Sequence, residues 1–392
     1  MNFLIVSPAF LPANAHGGVP FSTYNLCKQF DRLGHKVKVL TTNRNGENHL
    51  DVKTNCWTEY NGIPVFYCKT MNGPYSYSSV MVNIAKQEAK NTDVIISSAT
   101  LWNHSGLIAD AISRKFNKPH IVYLRGLLDP WAFKFKIIRK KIFWIFQGKR
   151  ILQNAKLIIA LSENEKIAIN SLSIKTQIEV IPNGVNFIDL SNIYERKQLF
   201  SIYPKLAERH FLLFMGRIHQ KKGFDVLFPA FKNILSYYPN VVLVIAGPVE
   251  KVFEKELSNL LSENNINENV LFAGVVNGTI KNSLLNFADG FVLTSYSEGV
   301  PIAVLEALSV GCPVIVSHQC NIPEIESFKA GWVVPTEVNA ISKALLELFN
   351  NPNQREIFSN NAKKMVREKY SWEHIGNKTV AIINSLTQNG VE

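Results

Sequence analysis

Two carboxylates that could act on one ligand, Glu298 and Glu306, lie eight residues apart with a turn glycine, Gly299, between them. The apolar run at 290–294 predicts a buried strand, and 303–308 predicts a helix. Glu298 is therefore expected in the intervening loop, and Glu306 about one turn into the helix. In open α/β sheets, ligands bind where strands end and helices begin, and a helix start supplies free N–H groups for a phosphate.

This carboxylate pair admits three interpretations. Glycosidases use two carboxylates as acid and base, and exposed glutamates are often only structural. The third role is hydrogen bonding to sugar hydroxyls. We favour it because a phosphate at the helix start would repel a nearby carboxylate unless that carboxylate faced neutral groups. Glu306 would then hold a ribose, as an acidic residue does in dinucleotide-binding folds, and Glu298 would contact a sugar.

A basic loop follows another predicted strand, at 211–215. Its cations are Arg217 and Lys222, and Gly216 and Gly223 free the backbone to turn tightly at its ends. Arginine binds a diphosphate with its planar fork, and lysine binds it as a point charge. The spacing is not that of a P-loop. Taken alone, the loop would also fit an ordinary basic connection between a strand and a helix.

Weaker candidates lie in the first half of the chain. Gly17 and Gly18 stand between the first predicted strand and helix, where paired glycines let the backbone approach a ligand closely. They do not form the GxGxxG pattern of a dinucleotide site. His104 and Arg125 follow later strands, and Asn183 lies in the turn after the last strand of this half. A lone histidine in such a position is more often structural than functional.

Apolar strands alternate with helices through both halves of the chain. Strands are predicted at 3–7, 37–41, 94–97, 120–123, 157–161, 178–181, 211–215, 241–246, 270–272, 291–293, 314–316 and 332–334. Helices are predicted at 22–33, 303–308 and 341–349, and an amphipathic segment at 375–386. The alternation indicates an α/β fold with two doubly wound, mostly parallel sheets and a cleft between them. The predicted domains are 1–188 and 189–369, with a linker at 189–208 and a separate tail at 370–392.

The composition is that of a globular protein. A length of 392 residues allows two or three domains, and 46% hydrophobic with 19% charged residues argues against disorder. No apolar run reaches the roughly 18 residues of a membrane span, and the short, uncharged amino terminus differs from a signal peptide. Five scattered cysteines without a CxxC pair argue against a disulfide framework or a zinc site, and they indicate a reducing cytoplasm.

The net charge of +11 favours anionic partners, such as phosphorylated ligands, an anionic membrane or nucleic acid. Segment 133–150 concentrates this charge and interleaves it with aromatic and aliphatic residues. Basic amphipathic helices of this kind can lie on anionic membranes, and a core helix with a solvated basic face fits equally well. Nucleic acid is not expected as a partner, because no nucleic-acid-binding motif is visible.

Together, these motifs resemble the retaining GT-B glycosyltransferases of glycosyltransferase family 4, of the bacterial polysaccharide and lipopolysaccharide type. The resemblance covers nearly the whole chain. It rests on the motifs at 17–18, 123–131, 181–185, 216–223 and 298–306. Each motif alone is weak, but their order and spacing make the set specific. The resemblance implies two Rossmann-like domains, the first for an acceptor and the second for a nucleotide sugar, with the final helix returning to the first.

The resemblance also implies roles for individual residues on the donor side. Arg217 and Lys222 would bind the diphosphate and act in catalysis with Glu298, which contacts the sugar, while Glu306 binds the ribose. Further donor contacts are expected from Gly17, Gly18, Gly216, Gly299, Val300, Pro301 and Ile302.

The acceptor side is assigned to His104, Arg125 and Asn183. His104 departs from the family pattern, since it follows Trp102 whereas many members have a histidine before an aromatic residue.

The expected reaction is transfer of a hexosyl group from a nucleoside diphosphate sugar to a saccharide or lipid-linked acceptor. Family members do not need a metal, so neither a metal nor another cofactor is expected. The setting would be cell-surface polysaccharide synthesis in the cytoplasm, with peripheral contact to the inner face of the plasma membrane. Two alternatives remain at this stage. One is another GT-B enzyme, such as a sugar-nucleotide epimerase or a phosphorylase, and the other is a non-catalytic nucleotide-sugar-binding protein.

Overall fold

Each half of the alternating pattern folds around its own parallel sheet. The structure is a computed structural model that describes residues 1–70, 77–128 and 143–388. The first unit comprises Met1–Gly184 and Trp372–Glu392, and the second comprises Val185–Ser371. The predicted α/β architecture with two doubly wound sheets is confirmed. The units meet in sequence at 184/185, four residues before the predicted domain boundary.

The first unit is built on a sheet that is parallel except at one edge. Its strands are β1 (Asn2–Val6), β2 (Lys36–Thr42), β3 (Arg44–Asn45), β4 (Asn48–His49), β5 (Trp57–Tyr60), β6 (Ile63–Cys68), β7 (Val94–Ser98), β8 (His120–Tyr123), β9 (Leu157–Ala160) and β10 (Ile178–Val180). The sheet order is β10-β9-β8-β7-β1-β2-β6-β5, while β3 pairs with β4. Ile5 of β1 pairs with Val39 of β2 and Ile96 of β7, and all three are buried. Burial on both faces explains the continuous apolar runs that predict these strands.

An antiparallel hairpin of β5 and β6 forms one edge of this sheet, where the sequence analysis predicts no strand. In β5, exposed residues alternate with half-buried ones, so the strand lacks the apolar run of the central strands. Pro64 lies in β6, and a proline argues against a central strand. Asn61 and Gly62 both have positive φ, as a type I′ turn requires. This Asn-Gly pair is the sequence signal for the hairpin.

The helices of the first unit cover the faces of its sheet. They are Gly18–Arg32, Ser79–Ala89, His104–Phe116, Lys149–Asn154, Glu163–Asn170 and Trp372–Gln388. The first helix begins at Gly18, whereas the sequence predicts a start near residue 22. Its N-cap residue, Gly17, has a φ of +66°. Pro20 is compatible with the first turn because the N–H that it lacks would have no acceptor within the helix there.

The predicted amphipathic tail is the helix Trp372–Gln388, and it belongs to the core of the first unit. Trp372, Ile375 and Ile383 are buried with the residues of the sheet. A Cβ on Gly376 would lie 2.6 Å from Cβ of Gln29, which shows how closely this helix approaches the first helix.

The second unit is built on a six-stranded parallel sheet. Its strands are β11 (Phe211–Met215), β12 (Val242–Ala246), β13 (Val270–Gly274), β14 (Gly290–Leu293), β15 (Val314–Ser317) and β16 (Gly331–Val334), in the order β13-β12-β11-β14-β15-β16. Its helices are Arg196–Ile202, Phe224–Leu235, Glu254–Asn264, Gly278–Phe287, Ile302–Val310, Glu324–Ser327, Val338–Asn350 and Pro352–Met365. None of the helices in the described ranges has both the length and the apolar character needed to cross a bilayer.

The stretch at 189–208, predicted as a linker, is part of the second unit. It contains the helix Arg196–Ile202, which begins with a capping box between Glu195 and Gln198. Leu199 of this helix is fully buried. The polar composition that suggested a linker is therefore that of a surface helix with one buried contact.

The winding direction reverses between β1 and β7 in the first sheet, and between β11 and β14 in the second. At such a switch point the loops after the two strands diverge, and they leave a crevice in which α/β proteins bind ligands. The fold thus marks two places for a site, one in each unit.

Candidate active site

The switch point of the second sheet holds an ion pair between Lys222 and Glu298. Lys222 lies in the loop after β11, and Glu298 lies in the loop after β14. Lys222 Nζ is 2.5 Å from Oε1 of Glu298, and Ser295 Oγ donates to the same oxygen at 2.7 Å. Two residues that are distant in sequence therefore meet where the fold predicts a ligand.

Both side chains of this pair are only 10% exposed. Burial alone would raise the pKa of Glu298, but the charges of Lys222 and Lys221, with two hydrogen bonds, bring this pKa below its ordinary value. Glu298 is therefore ionised at neutral pH and can only accept hydrogen bonds. Its Oε2 makes no hydrogen bond to any residue in the described ranges, so this oxygen can accept one from a ligand hydroxyl.

The backbone around Lys222 is tied to the end of β14. Gly223 has a φ of +71°, and a Cβ at this position would lie 2.1 Å from the carbonyl oxygen of Thr294. Only glycine permits both this conformation and this approach. The Thr294 hydroxyl also donates to the carbonyl oxygens of Lys222 and Gly223 at 3.3 and 3.1 Å. These contacts explain how the loop presents the Lys222 side chain to Glu298.

Arg217, the other predicted cation, pairs with a residue that was not predicted. Its Nη1 lies 2.9 Å from Oε1 of Glu250, and its side chain is 61% exposed. His219 Nδ1 accepts the Lys221 N–H, so its Nε2 carries the proton and faces Oε2 of Glu250 at 3.4 Å. Glu250 follows β12, the neighbour of β11, and its position after a strand is the only sequence signal for it.

The carboxylate loop leads directly into the helix Ile302–Val310. Pro301 is the N-cap residue of this helix. The N–H groups of the first turn have no acceptors within the helix and can bind an anion. Asn321 fixes the preceding loop, because its Nδ2 donates to the carbonyl oxygens of Glu298 and Gly299 at 2.6 and 3.3 Å. Asn321 was not predicted, since it lies beyond β15 and has no motif of its own.

Glu306 lies just over one turn into that helix, at the depth that the spacing predicts. Its Oε1 accepts a hydrogen bond from Lys281 Nζ at 2.7 Å. Lys281 comes from the helix Gly278–Phe287, and nothing in its sequence context singles it out. Glu298 and Glu306 thus contact different cations, which fits separate contacts to a ligand better than a shared acid–base pair.

Gly17 and Gly18 lie after β1, beside the switch point of the first sheet. Gly17 adopts positive φ, and no atom beyond its chain neighbours lies within 4 Å of where its Cβ would be. The glycine is therefore required by its backbone conformation and borders open space.

His104 is the first residue of the helix His104–Phe116, after β7. Its ring centroid lies 4.5 Å from that of Tyr77. Burial lowers the pKa of His104, so the ring is neutral at neutral pH. Its Nδ1 is buried and makes no hydrogen bond within the described ranges.

The other two acceptor-side residues contact each other. Arg125 Nη1 donates to Oδ1 of Asn183, and Arg125 Nε donates to Ser98 Oγ at 3.1 Å. His104 makes no hydrogen bond or ion pair to this group in the part of the chain that the structure describes. Ser98, the last residue of β7, was not predicted as a site residue.

Most of the basic segment 133–150 lies outside the described residues, and the described part begins at residue 143. Trp144 packs near Trp102 with ring centroids 6.4 Å apart. Ile145 and Phe146 are 73% and 72% exposed, and the helix Lys149–Asn154 follows. This end of the segment therefore has two partly buried aromatic residues, Phe143 and Trp144, near Trp102, and two large apolar side chains that are exposed.

Among the residues that the structure describes, no three His, Cys, Asp or Glu side chains come close enough to form a metal site. All five cysteines are free, and four of them are buried.

Two family profiles match the chain, one in each half. The profile described as Glycosyltransferase Family 4 matches residues 16–187, and the one described as Glycosyl transferases group 1 matches residues 195–365.

Similar proteins agree with these profiles. An uncharacterised glycosyltransferase of Methanocaldococcus jannaschii is 33% identical over 385 residues, which cover 95% of each chain. The capsular polysaccharide biosynthesis glycosyltransferase CapM of Staphylococcus aureus is 28% identical over 76% of this chain and 78% of its own. HepE of Anabaena, solved with UDP and also with UDP-glucose, shares the fold. Its UDP complex has a TM-score of 0.75 at 18% identity and covers 98% of this chain and 100% of its own.

Proposed function

The chain belongs to glycosyltransferase family 4 and is a glycosyltransferase of the GT-B fold, and from this premise we propose that it transfers a hexosyl group from a nucleoside diphosphate sugar to a saccharide or lipid-linked acceptor with retention of anomeric configuration. The process we propose is cell-surface polysaccharide synthesis. CapM, a similar protein, carries capsular polysaccharide biosynthesis in its name.

The observation that carries the proposal is the contact between Lys222 and Glu298 at the second switch point. An ammonium group and a carboxylate with one unused oxygen lie beside a helix start that can bind phosphate. A sugar diphosphate offers hydroxyls to the carboxylate and oxyanions to the ammonium and the helix.

Transition-state stabilisation is the proposed role of the cations. Cleavage of the bond between the sugar and the diphosphate places growing negative charge on the leaving group. Lys222 has three N–H donors, so it can keep its bond to Glu298 and donate the others to that charge. Arg217 is exposed, so exchange of Glu250 for a phosphate requires only a side-chain rotation. Fixed donors aimed at developing charge are usually the largest single contribution to catalysis.

We further propose that the reaction needs neither a metal nor another cofactor. In this mechanism Lys222, Arg217 and the helix start neutralise the diphosphate in place of a divalent cation. The leaving phosphate takes the proton of the attacking hydroxyl on the same face of the sugar, so the anomeric configuration is kept. Activity that survives excess EDTA would agree with this proposal, and activity restored only by added metal would contradict it.

Contact with the cytoplasmic face of the membrane is proposed for the segment 133–150. Its described end exposes Ile145 and Phe146 next to Lys149 and Arg150. Apolar side chains flanked by cations suit the interface of an anionic bilayer.

The function is tested by screening nucleoside diphosphate sugars for transfer and by assigning the anomeric configuration of the product by NMR. A first screen by thermal shift is sensitive, because a ligand at 100 times its Kd stabilises the fold by about 2.7 kcal/mol. We expect one sugar nucleotide to stabilise the protein and to yield a product with the donor's configuration. An inverted product would exclude the retaining mechanism.

A further inference from the structure

A cluster of hydrogen-bond donors lies at the carboxyl edge of the first sheet, and the mechanism above does not use it. We call Arg125, Asn183, Ser98 and Thr23 the Arg125 cluster. Arg125 follows β8, Asn183 follows β10, and Ser98 ends β7. The carboxyl ends of parallel strands share one edge, so these residues meet where α/β sheets bind ligands.

The protons of the cluster can be assigned from its hydrogen bonds. Thr23 donates its hydroxyl proton to the carbonyl oxygen of Val19 at 2.8 Å, so Ser98 must be the donor in the 2.8 Å bond between Ser98 and Thr23. Ser98 Oγ then accepts from Arg125 Nε, and Asn183 Oδ1 accepts from Arg125 Nη1. Asn183 thus uses its acceptor oxygen in the bond to Arg125, and its NH₂ group takes no part in that bond.

What remains unused in the cluster is a set of donors. A guanidinium has five N–H groups, and two of those on Arg125 are bonded within the protein. The other three and the NH₂ group of Asn183 have no acceptor among the described residues. Arg125 itself is half-buried, so a ligand can reach it.

The charge of Arg125 also lacks a direct counter-ion. Within the described ranges no carboxylate lies at ion-pair distance from it, in contrast to Lys222, Arg217 and Lys281. Glu165 acts on it only from a longer distance, because the two Glu165 oxygens accept the N–H groups of Gly126 and Leu161, each at 2.7 Å. Burial lowers the pKa of Arg125 to about 10, which still leaves the group cationic at neutral pH.

The backbone at this position is held in an uncommon conformation. Arg125 has a φ of +56°, and Gly126, which follows it, has a φ of +79°. A residue other than glycine rarely adopts such a conformation, and where one does, the surroundings hold it there, most often at a functional site. Here the Glu165 carboxylate supplies that support through the Gly126 N–H.

We propose that the Arg125 cluster binds an oxyanion carried by the acceptor, either a phosphoryl group or a carboxylate, through the guanidinium of Arg125 and the amide of Asn183. This inference rests on the proposed function and narrows it, because the acceptor becomes an anionic molecule. A lipid-linked acceptor would supply the phosphoryl group, and an acidic saccharide would supply the carboxylate.

The test is isothermal titration of the full chain in a Lys222→Ala background, which removes a cation of the donor site. The probes are glycerol 1-phosphate, methyl glucuronide and the neutral methyl glucoside. We expect at least one anionic probe to bind and the neutral sugar not to bind. Tighter binding of glycerol phosphate would identify the phosphoryl source, and tighter binding of the glucuronide the acidic saccharide.

Arg125→Gln, added to this background, keeps an amide donor and removes the charge, and it should weaken the anion's affinity by roughly 10-fold or more. The anion's affinity for the Arg125→Lys protein should lie between its affinities for the protein with Arg125 and for the Arg125→Gln protein, since lysine keeps the charge but lacks the planar fork of the guanidinium. Lys115→Ala is the matched control, because it removes one exposed positive charge near the far end of the helix His104–Phe116. It should change the affinity less than twofold, and melting temperatures show that each variant is folded.

Absence of binding by both anions, or equal binding to the Arg125→Gln protein, would overturn the inference. A purely structural Arg125 would give the second result. The proposed function fails separately, through the absence of any stabilising sugar nucleotide on the wild-type chain, so the two failures are distinguishable.

Discussion

Around the switch point of the second sheet each of three cations lies against a carboxylate, whereas at the carboxyl edge of the first sheet Arg125 lies against the neutral side chains of Ser98 and Asn183. The three pairs are Lys222–Glu298, Arg217–Glu250 and Lys281–Glu306. In the second unit the carboxylates already neutralise the cations, so a bound diphosphate would share Lys222 with Glu298 and displace Glu250 from Arg217. In the first unit the donors of Arg125 face no such competitor among the described residues.

This difference shows how one fold can separate two tasks. The buried Lys222–Glu298 pair stays in place without ligand because burying an unpaired charge is costly, and it holds these two groups at fixed positions. An unpaired guanidinium instead has its charge neutralised only when an anion binds, so it favours binding of an anionic ligand. The predictions that follow test each side of this comparison, beginning with the largest effect.

Replacing Lys222 by alanine should lower kcat by about 100-fold or more, since it removes a donor that stabilises charge developing on the leaving group. Steady-state kinetics with the identified donor measure this. Lys232→Ala is the control, because it removes one exposed charge from the helix Phe224–Leu235. A loss under about 10-fold, or 1.4 kcal/mol, would contradict a catalytic role for Lys222.

Glu298→Gln should destabilise the fold by roughly 3 kcal/mol at pH 7, because it leaves the buried Lys222 without its counter-charge. The folded-state pKa of Glu298 lies below its ordinary value of 4.5, so the pair stabilises the fold above that pH. This stabilisation is lost as the pH falls through the lowered pKa. The difference between wild type and variant should therefore shrink below pH 4.5.

Urea unfolding between pH 7 and pH 3.5 measures this difference. Glu263→Gln, which changes an exposed glutamate of the same unit, is the matched control. A difference that stays constant with pH would show that Glu298 is not stabilised by Lys222.

Glu306→Gln should raise the KM for the donor by roughly 10-fold and leave kcat nearly unchanged, because a hydrogen bond to a charged group contributes about 1.5 kcal/mol or more to binding. Initial rates at varied donor concentration separate the two constants. Lys281→Ala should have a smaller effect, since it removes only the partner of Glu306. A fall in kcat with constant KM would place Glu306 at the reacting bond instead.

The smallest effect is expected at two exposed apolar residues of the first unit, Ile145 and Phe146. Replacing Ile145 and Phe146 by serine should weaken binding to anionic liposomes by roughly 5-fold, because both side chains would lose apolar contact with the bilayer. Flotation with and without anionic lipid measures this, and Ile202→Ser, a change at an exposed apolar residue of the second unit, is the control. Equal flotation of wild type and variant would reject this surface as a membrane contact.

The sequence predicts the buried central strands well and the strands at the edge of a sheet poorly. Phe211–Met215 is buried on both faces, and its apolar run is unmistakable. The β5–β6 hairpin lies at an edge, where burial is one-sided and the pattern weak. The Asn61-Gly62 pair at its turn is a stronger sequence signal for this hairpin than the pattern of its strands.

The same contrast holds within the site. Lys222 and Glu298 are predictable because each follows a strand beside the switch point, and local sequence places them there. The sequence does not predict the other three residues, because their roles depend on which neighbouring loop or helix faces the site. They are Glu250, Lys281 and Asn321. That choice is made by strand order and register, which no local pattern encodes.

The central claim is that Lys222 and Arg217 of the second unit bind the diphosphate of a nucleotide sugar. The most direct measurement is isothermal titration of the wild-type chain with UDP, GDP and ADP, repeated for the best ligand with Lys222→Ala and Lys232→Ala. We predict that one nucleoside diphosphate binds, that Lys222→Ala weakens its binding by about 10-fold or more, and that Lys232→Ala leaves it unchanged. Equal affinities for wild type and Lys222→Ala, or no binding by any of the three, would contradict the claim.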